Sequence, residues 1–141
     1  MREALAIITV LAGCAEHGSS TGAPGDGTRP PPTCPVGDAT KIKFTQDQGC
    51  GNDGGVEFCI PDNDAVLRTQ LTAISSTITC AAGGGRAGCL RVPGLLLCSY
   101  PTVFPAQCTS DHGAMTDTVW GDMCEISNLP QITEIVPTIL E

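Results

Sequence analysis

Ser110, Asp111 and His112 stand in succession and supply the residue types of an acyl-transfer triad: a hydroxyl, a carboxylate and an imidazole. Contiguous side chains cannot converge on one reacting atom, because a triad needs its nucleophile, base and orienting acid to meet in space. A hydrolytic site would therefore rest on His112 with Asp111 or Asp117 and take its remaining members from elsewhere in the chain. The sequence contains no G-x-S-x-G, no H-E-x-x-H and no P-loop. A surface histidine at the approach to a helix accounts for His112 more simply. The expectation is a protein without catalytic residues, with a small hydrolase built on His112 as the alternative.

Three other patterns touch on binding chemistry. Gly83-Gly84-Gly85-Arg86-Ala87-Gly88 satisfies G-x-G-x-x-G, but the dinucleotide fingerprint needs a strand before it and a helix after it. Here Cys80 and Cys89 flank the segment, which reads as a loop. Exposed between two cysteines, Arg86 could offer a basic side chain to a protease pocket in the manner of an inhibitor loop. Asn52 and Asp53 lie among glycines, as calcium-loop residues do, yet the D-x-[DN]-x-[DN]-G pattern with a later Glu is missing. Asn, Asp and Gly together are what a turn with positive φ angles demands. Asp62 and Asp64 could form an acid/base pair, but helix capping explains them at less cost. No metal and no other cofactor is expected.

Nine cysteines are the densest reactive group. Setting Cys14 aside leaves Cys34, Cys50, Cys59, Cys80, Cys89, Cys98, Cys108 and Cys124, an even number suited to four disulfides. No C-x-x-C pair exists and only His17 and His112 could assist, so structural zinc is disfavoured. Disulfides persist outside a reducing cytosol. Eight cysteines allow about 105 connectivities, and the sequence alone does not choose among them. The pairing expected here is Cys34 to Cys50, Cys59 to Cys98, Cys80 to Cys89 and Cys108 to Cys124.

Export is also written at the start of the chain. Met1-Arg2 precedes an apolar run from Ala4 to Ala12 that is too short to cross a bilayer, for which about 20 residues are needed. An ordinary secretory signal cut between Ala12 and Ala15, or a buried strand whose cysteine is paired, would also fit such a run. Leu11-Ala12-Gly13-Cys14, which closes it, resembles the lipobox of bacterial lipoprotein precursors. That resemblance covers the first fourteen residues and implies that residues 1–13 are a signal peptide. It further implies that Cys14 receives a diacylglycerol thioether, that cleavage leaves Cys14 first, and that the partner is a lipid membrane. Ala15 after the lipidated cysteine would favour the outer membrane of a Gram-negative cell envelope. Residues 34–141 resemble no family of known function, so an envelope protein or polymer is the expected further partner.

Residues 14–33 are rich in Gly, Ser, Thr and Pro and read as the lipidated cysteine and a flexible tether; His17 falls within it as a solvated residue. Residues 34–141 read as one small domain. With aromatic residues at 4%, its core rests on Leu, Ile and Val with Phe44, Phe58, Tyr100, Phe104 and Trp120, assisted by disulfides that each add about 3 kcal/mol for a loop of ~15 residues. The net charge of −8 is dispersed, which argues against nucleic acid and against electrostatic docking on anionic lipid.

Alternation predicts a strand at Lys41–Thr45, and Val56, Phe58 and Ile60 predict a second that closes a hairpin with it. Leu67, Leu71, Ile74 and Ile78 predict a helix capped by Asp62 or Asn63, with Asp64 in its first turn. The run Leu95–Tyr100 reads as a central strand, Thr116 as the cap of a helix through Trp120, Met123, Cys124 and Ser127, and Gln131–Val136 as a last strand ended by Pro137. The expected class is α+β: a small disulfide-rich domain with two helices packed on an antiparallel or mixed sheet of about four strands.

Overall fold

A computed structural model describes residues 33–51 and 54–138. The lipobox, the tether to Pro32, and Asn52 and Asp53 of the expected turn lie outside the described residues.

The elements run β1 (Val56–Pro61), α1 (Ala65–Ile74), β2 (Thr79–Ala81), β3 (Leu95–Tyr100), α2 (Asp117–Asn128) and β4 (Val136–Pro137). The sheet has the order β2-β3-β1-β4, every neighbouring pair is antiparallel, and the two helices pack on it. This is the small disulfide-rich α+β domain that the sequence predicts. Short 3-10 turns at Ala39–Lys41, Gln46–Gln48 and Cys89–Arg91 complete it.

Val56, Phe58 and Ile60 of β1 are each fully buried, because a strand sends alternate side chains to one face. In the β1/β3 register they stand opposite Tyr100, Cys98 and Leu96, so these six make the helix-facing side of the sheet. Leu67 and Leu71 of α1, and Val119, Trp120, Met123 and Ile126 of α2, close over it. Each fully buried large aliphatic or aromatic side chain contributes roughly 1.5–3 kcal/mol. Trp120 meets Phe44 edge to face at 6.1 Å, a geometry favoured by the ring quadrupoles.

Both helices form where the apolar spacing places them, with differences at the ends. Asp64, not Asp62 or Asn63, is the N-cap of α1, its side chain accepting from the Leu67 N–H at 2.8 Å. The helix stops at Ile74 rather than reaching Ile78: Ser75 is extended, and its hydroxyl bonds that of Thr77 at 2.8 Å. Such local side-chain bonding competes with helix continuation. Thr79–Ala81, too short to show alternation, then forms β2 instead. Thr116 caps α2 as expected, accepting from the Val119 N–H at 3.3 Å.

The expected first strand and its hairpin are corrected. Ile42 and Phe44 are buried as the alternation requires, but Lys41–Thr45 joins the rest through one parallel bridge, Ile42 to Ile135. Asp38 accepts from the Thr40 N–H at 3.0 Å and Gln48 from the Thr45 N–H at 3.0 Å, folding tight turns on both sides of a segment then too short for a strand. β1 pairs with β3 and β4 instead. The last strand is likewise shortened to Val136–Pro137, and Pro137 lies within it, opposite Val56. At a sheet edge proline's missing N–H is tolerated. Upstream, Ile132 and Ile135 are both fully buried at a spacing of three, which a strand cannot supply on one face.

All eight domain cysteines form disulfides, but none in the expected pairs: the bonds are Cys34–Cys124, Cys50–Cys108, Cys59–Cys89 and Cys80–Cys98. The register gives the reason. Cys59 stands opposite Leu97 and Cys98 opposite Phe58, so Cys59 and Cys98 point to opposite faces and cannot bond. Cys98 instead faces Cys80 directly across β2/β3, with 4.0 Å between Cα atoms. That leaves Cys89, in the segment over the outer face, to meet Cys59. Cys34 reaches α2 because Gly37, at φ +117°, passes where a Cβ would meet the Cys124 carbonyl oxygen at 2.1 Å. Cys50 and Cys108, both almost fully buried, tie the turn at Gln46–Gln48 to the segment after β3.

Candidate functional site

The segment from Pro101 to Thr116 joins β3 to α2 and is built from small hydrogen-bonded loops around Cys108. On one side the Gln107 N–H donates to the Val103 carbonyl at 2.8 Å; on the other the Thr109 N–H donates to the Ala114 carbonyl at 2.8 Å and the Gly113 N–H to that of Ser110 at 3.1 Å. His112 lies inside this last turn at φ +54°, the left-handed region where non-glycine residues are uncommon and histidine is among the better tolerated. Strained positions of this kind gather at ligand sites, and the direction of inference is from the outlier to the site.

This segment borders a cleft of about 500 Å³ beside the Cys50–Cys108 disulfide. Asp111 and His112 line it together with Thr102, Val103 and Phe104. Val103 and Phe104 are half exposed, at 50% and 56%, so the cleft carries an apolar rim at the surface. Thr102 is 4% exposed and its hydroxyl has no hydrogen-bond partner among the described residues. Leaving such a group unpaired costs about 1–3 kcal/mol.

The structure thus brings Asp111 and His112 to one cleft and leaves the other triad-type residues out of its lining. Asp117 faces Gln46, whose side-chain amide donates to its carboxylate at 2.8 Å and to the Met115 carbonyl at 3.0 Å. Ser110 belongs to the turn itself: a Cβ on Gly113 would meet its Oγ at 2.2 Å. Phe104, expected in the core with the other aromatic residues, is instead 56% exposed at the cleft rim, held out of the core in a segment bracketed by Pro101 and Pro105. Thr102 carried no sequence signal.

Gly83–Gly88 is a loop, followed by the turn Cys89–Arg91 and not by a helix of dinucleotide-binding type. Glu57, on the outer sheet face and 6% exposed, accepts from the Arg86 N–H at 2.7 Å. The Gly88 N–H closes onto the Gly85 carbonyl at 3.4 Å, which places Arg86 inside a turn. Inhibitor loops present their basic residue in extended backbone, so this geometry works against that reading of Arg86. Leu90 and Val92 beyond it are 71% and 54% exposed.

Between sheet and helices, the Tyr100 hydroxyl donates to Asp122 at 2.7 Å. Burial, reinforced by that carboxylate, pushes the phenol up to about 12, so Tyr100 is a structural donor and not a base. Among the described residues no three of His, Cys, Asp and Glu gather as metal ligands, and no helix is long and apolar enough to cross a membrane. No protein-family model, curated protein or solved structure matches this chain.

Proposed function

We propose that this chain is a lipid-anchored protein of a bacterial cell envelope, probing its surroundings with a domain that is a non-catalytic binding or structural module. One observation carries the reading: the four disulfides use all eight domain cysteines, so Cys14 has no partner left within the chain and its thiol is available for acylation. Four disulfides also call for an oxidising compartment, such as a periplasm or cell surface. The acyl chains on Cys14 then supply the membrane contact, residues 15–33 the spacing, and the outer membrane is the destination that Ala15 favours. The remaining partner is an envelope protein or polymer. With a net charge of −8, nucleic acid is not among the partners.

Growth of a producing bacterium with an alkyne-tagged fatty acid tests the anchor. The account predicts that the chain incorporates the tag and that Cys14→Ser abolishes incorporation; a labelled Cys14→Ser chain, or an unlabelled parent, contradicts it. The second reading, a small envelope hydrolase using His112 with Asp111, is favoured by the cleft that these two residues share. It requires an ester or amide hydrolysis that His112→Ala removes while the fold persists.

A further inference from the structure

We propose that the loop from Arg86 to Val92 docks on anionic phospholipid of the bilayer that carries the anchor, with its two arginines on phosphates and Leu90 and Val92 in the interface. This goes beyond the anchored module and rests on that reading. The dispersal of charge that argues against such docking for the whole chain breaks down in one stretch. Residues 65–110 contain Arg68, Arg86 and Arg91 and none of the chain's 15 acidic residues. The other lysines and arginine of the described residues are engaged: Lys41 donates to the Leu129 carbonyl, Lys43 to that of Thr40 and Arg68 to that of Asp62. The side chains of Arg86 and Arg91 are exposed and form no hydrogen bond or ion pair with another described residue.

The loop geometry brings these groups together. The Cys89 N–H donates to the Gly84 carbonyl at 3.0 Å and the Gly88 N–H to that of Gly85 at 3.4 Å, so the chain returns on itself around Arg86. Leu90 then lies back over Gly84, its Cδ1 3.2 Å from where a Cβ would stand, and Arg91 over Gly88, its Nε at 3.4 Å. Exposed aliphatic groups beside arginines have the chemistry of interfacial segments, whose apolar side chains enter the headgroup region while their cations meet phosphate. Two carboxylates approach from outside the loop: Glu57 is 6% exposed beneath it, and Asp62 Oδ1 stands 4.0 Å from the position of a Gly94 Cβ. The loop is set in shape before it meets a surface, by the Cys59–Cys89 bond and by the Arg86 N–H donating to Glu57 at 2.7 Å. Such preorganisation lowers the ordering cost of binding. Two arginines and two aliphatic side chains hold a bilayer only weakly from solution. On an anchored chain they need do no more, because residues 15–33 as a coil reach ~25 Å and keep the loop at high effective concentration beside the surface. That proximity selects the bilayer over an acidic protein as the occupant.

The test uses the full chain from native membranes, reconstituted into vesicles of phosphatidylglycerol with brominated phosphatidylcholine, or of brominated phosphatidylcholine alone. Bromine on the acyl chains quenches a tryptophan that enters the interface. Val66 is as exposed as Leu90, at 71%, but lies on α1, on the other side of the sheet. Leu90→Trp fluorescence should fall on the phosphatidylglycerol vesicles, beyond the Trp120 background of the parent, and that of Val66→Trp should not. Adding Arg86→Gln and Arg91→Gln should lower the ratio of docked to undocked Leu90→Trp chain by about tenfold. Unquenched Leu90→Trp overturns the proposal and leaves an acidic protein or polymer as the occupant. Equal quenching of Val66→Trp, or quenching indifferent to phosphatidylglycerol and to both arginines, overturns it as well. Intact mass of the same samples keeps the two readings apart. Quenched Leu90→Trp in a chain without acyl groups would overturn the anchor and leave the docking standing; unquenched Leu90→Trp in an acylated chain would do the reverse.

Discussion

Tyr100 makes the stability of this domain depend on alkaline pH. Its hydroxyl is held protonated to about 12 in the folded chain against 10.0 in the unfolded one. Above pH 10 the unfolded state therefore releases a proton that the folded state keeps, so stability present below that pH is lost as pH rises from 10 toward 12. A thermal midpoint followed from pH 9 to 12 should fall over that interval in the parent and show a shallower fall in Tyr100→Phe. Thr102 makes the opposite kind of statement, since its buried hydroxyl is unpaired among the described residues. Replacing it by the isosteric valine should leave denaturant stability unchanged or raise it by up to about 1–3 kcal/mol, whereas a loss would mean that the hydroxyl is paired. Neither role was legible in the sequence, which shows that a residue is polar but not that it is buried. His112 and Asp111 were legible as chemistry-bearing types, and it took the Ser110–Gly113 turn to place them on one cleft while Asp117 went to Gln46.

Element types were legible wherever periodicity ran long enough. The stripe Leu67, Leu71, Ile74 marked α1, and the alternation of Val56, Phe58 and Ile60 marked β1 and its buried face. Boundaries were decided by short polar side chains whose choice between helix and local turn depends on geometry. At the start of α1 the structure selects Asp64, so Asp64→Ala should cost about 1 kcal/mol in a denaturant titration, while Asp62→Ala should be nearly neutral. Comparable losses in both would restore the cap that the sequence alone predicts. The loop over the outer sheet face has its own anchor in Glu57, which accepts the Arg86 N–H, and a Cβ on Gly85 would strike the Glu57 carboxylate at 2.2 Å. Glu57→Ala should destabilise the domain by about 1–3 kcal/mol and expose Arg86 and Arg91 to faster tryptic cleavage; unchanged cleavage would show that Cys59–Cys89 alone holds the loop.

At the scale of the molecule, the number of disulfides was legible and their order was not, because the sequence does not show which face of a strand each cysteine occupies. The observed bonds close longer loops: Cys34–Cys124 spans 90 residues and encloses the other three, and Cys50–Cys108 spans 58. In the chain-entropy estimate a 90-residue closure contributes roughly 4–5 kcal/mol, against about 3 for an 18-residue one such as Cys80–Cys98. A core with so few aromatic residues is therefore stapled across its whole length, from the end of the tether to α2. The measurement that bears most directly on this arrangement is the intact mass of the chain taken from native membranes, with and without thiol alkylation under denaturing, non-reducing conditions. The account predicts a chain beginning at an acylated Cys14 that takes up no alkylating agent. An unacylated chain, or one with two or more reactive thiols, would contradict it.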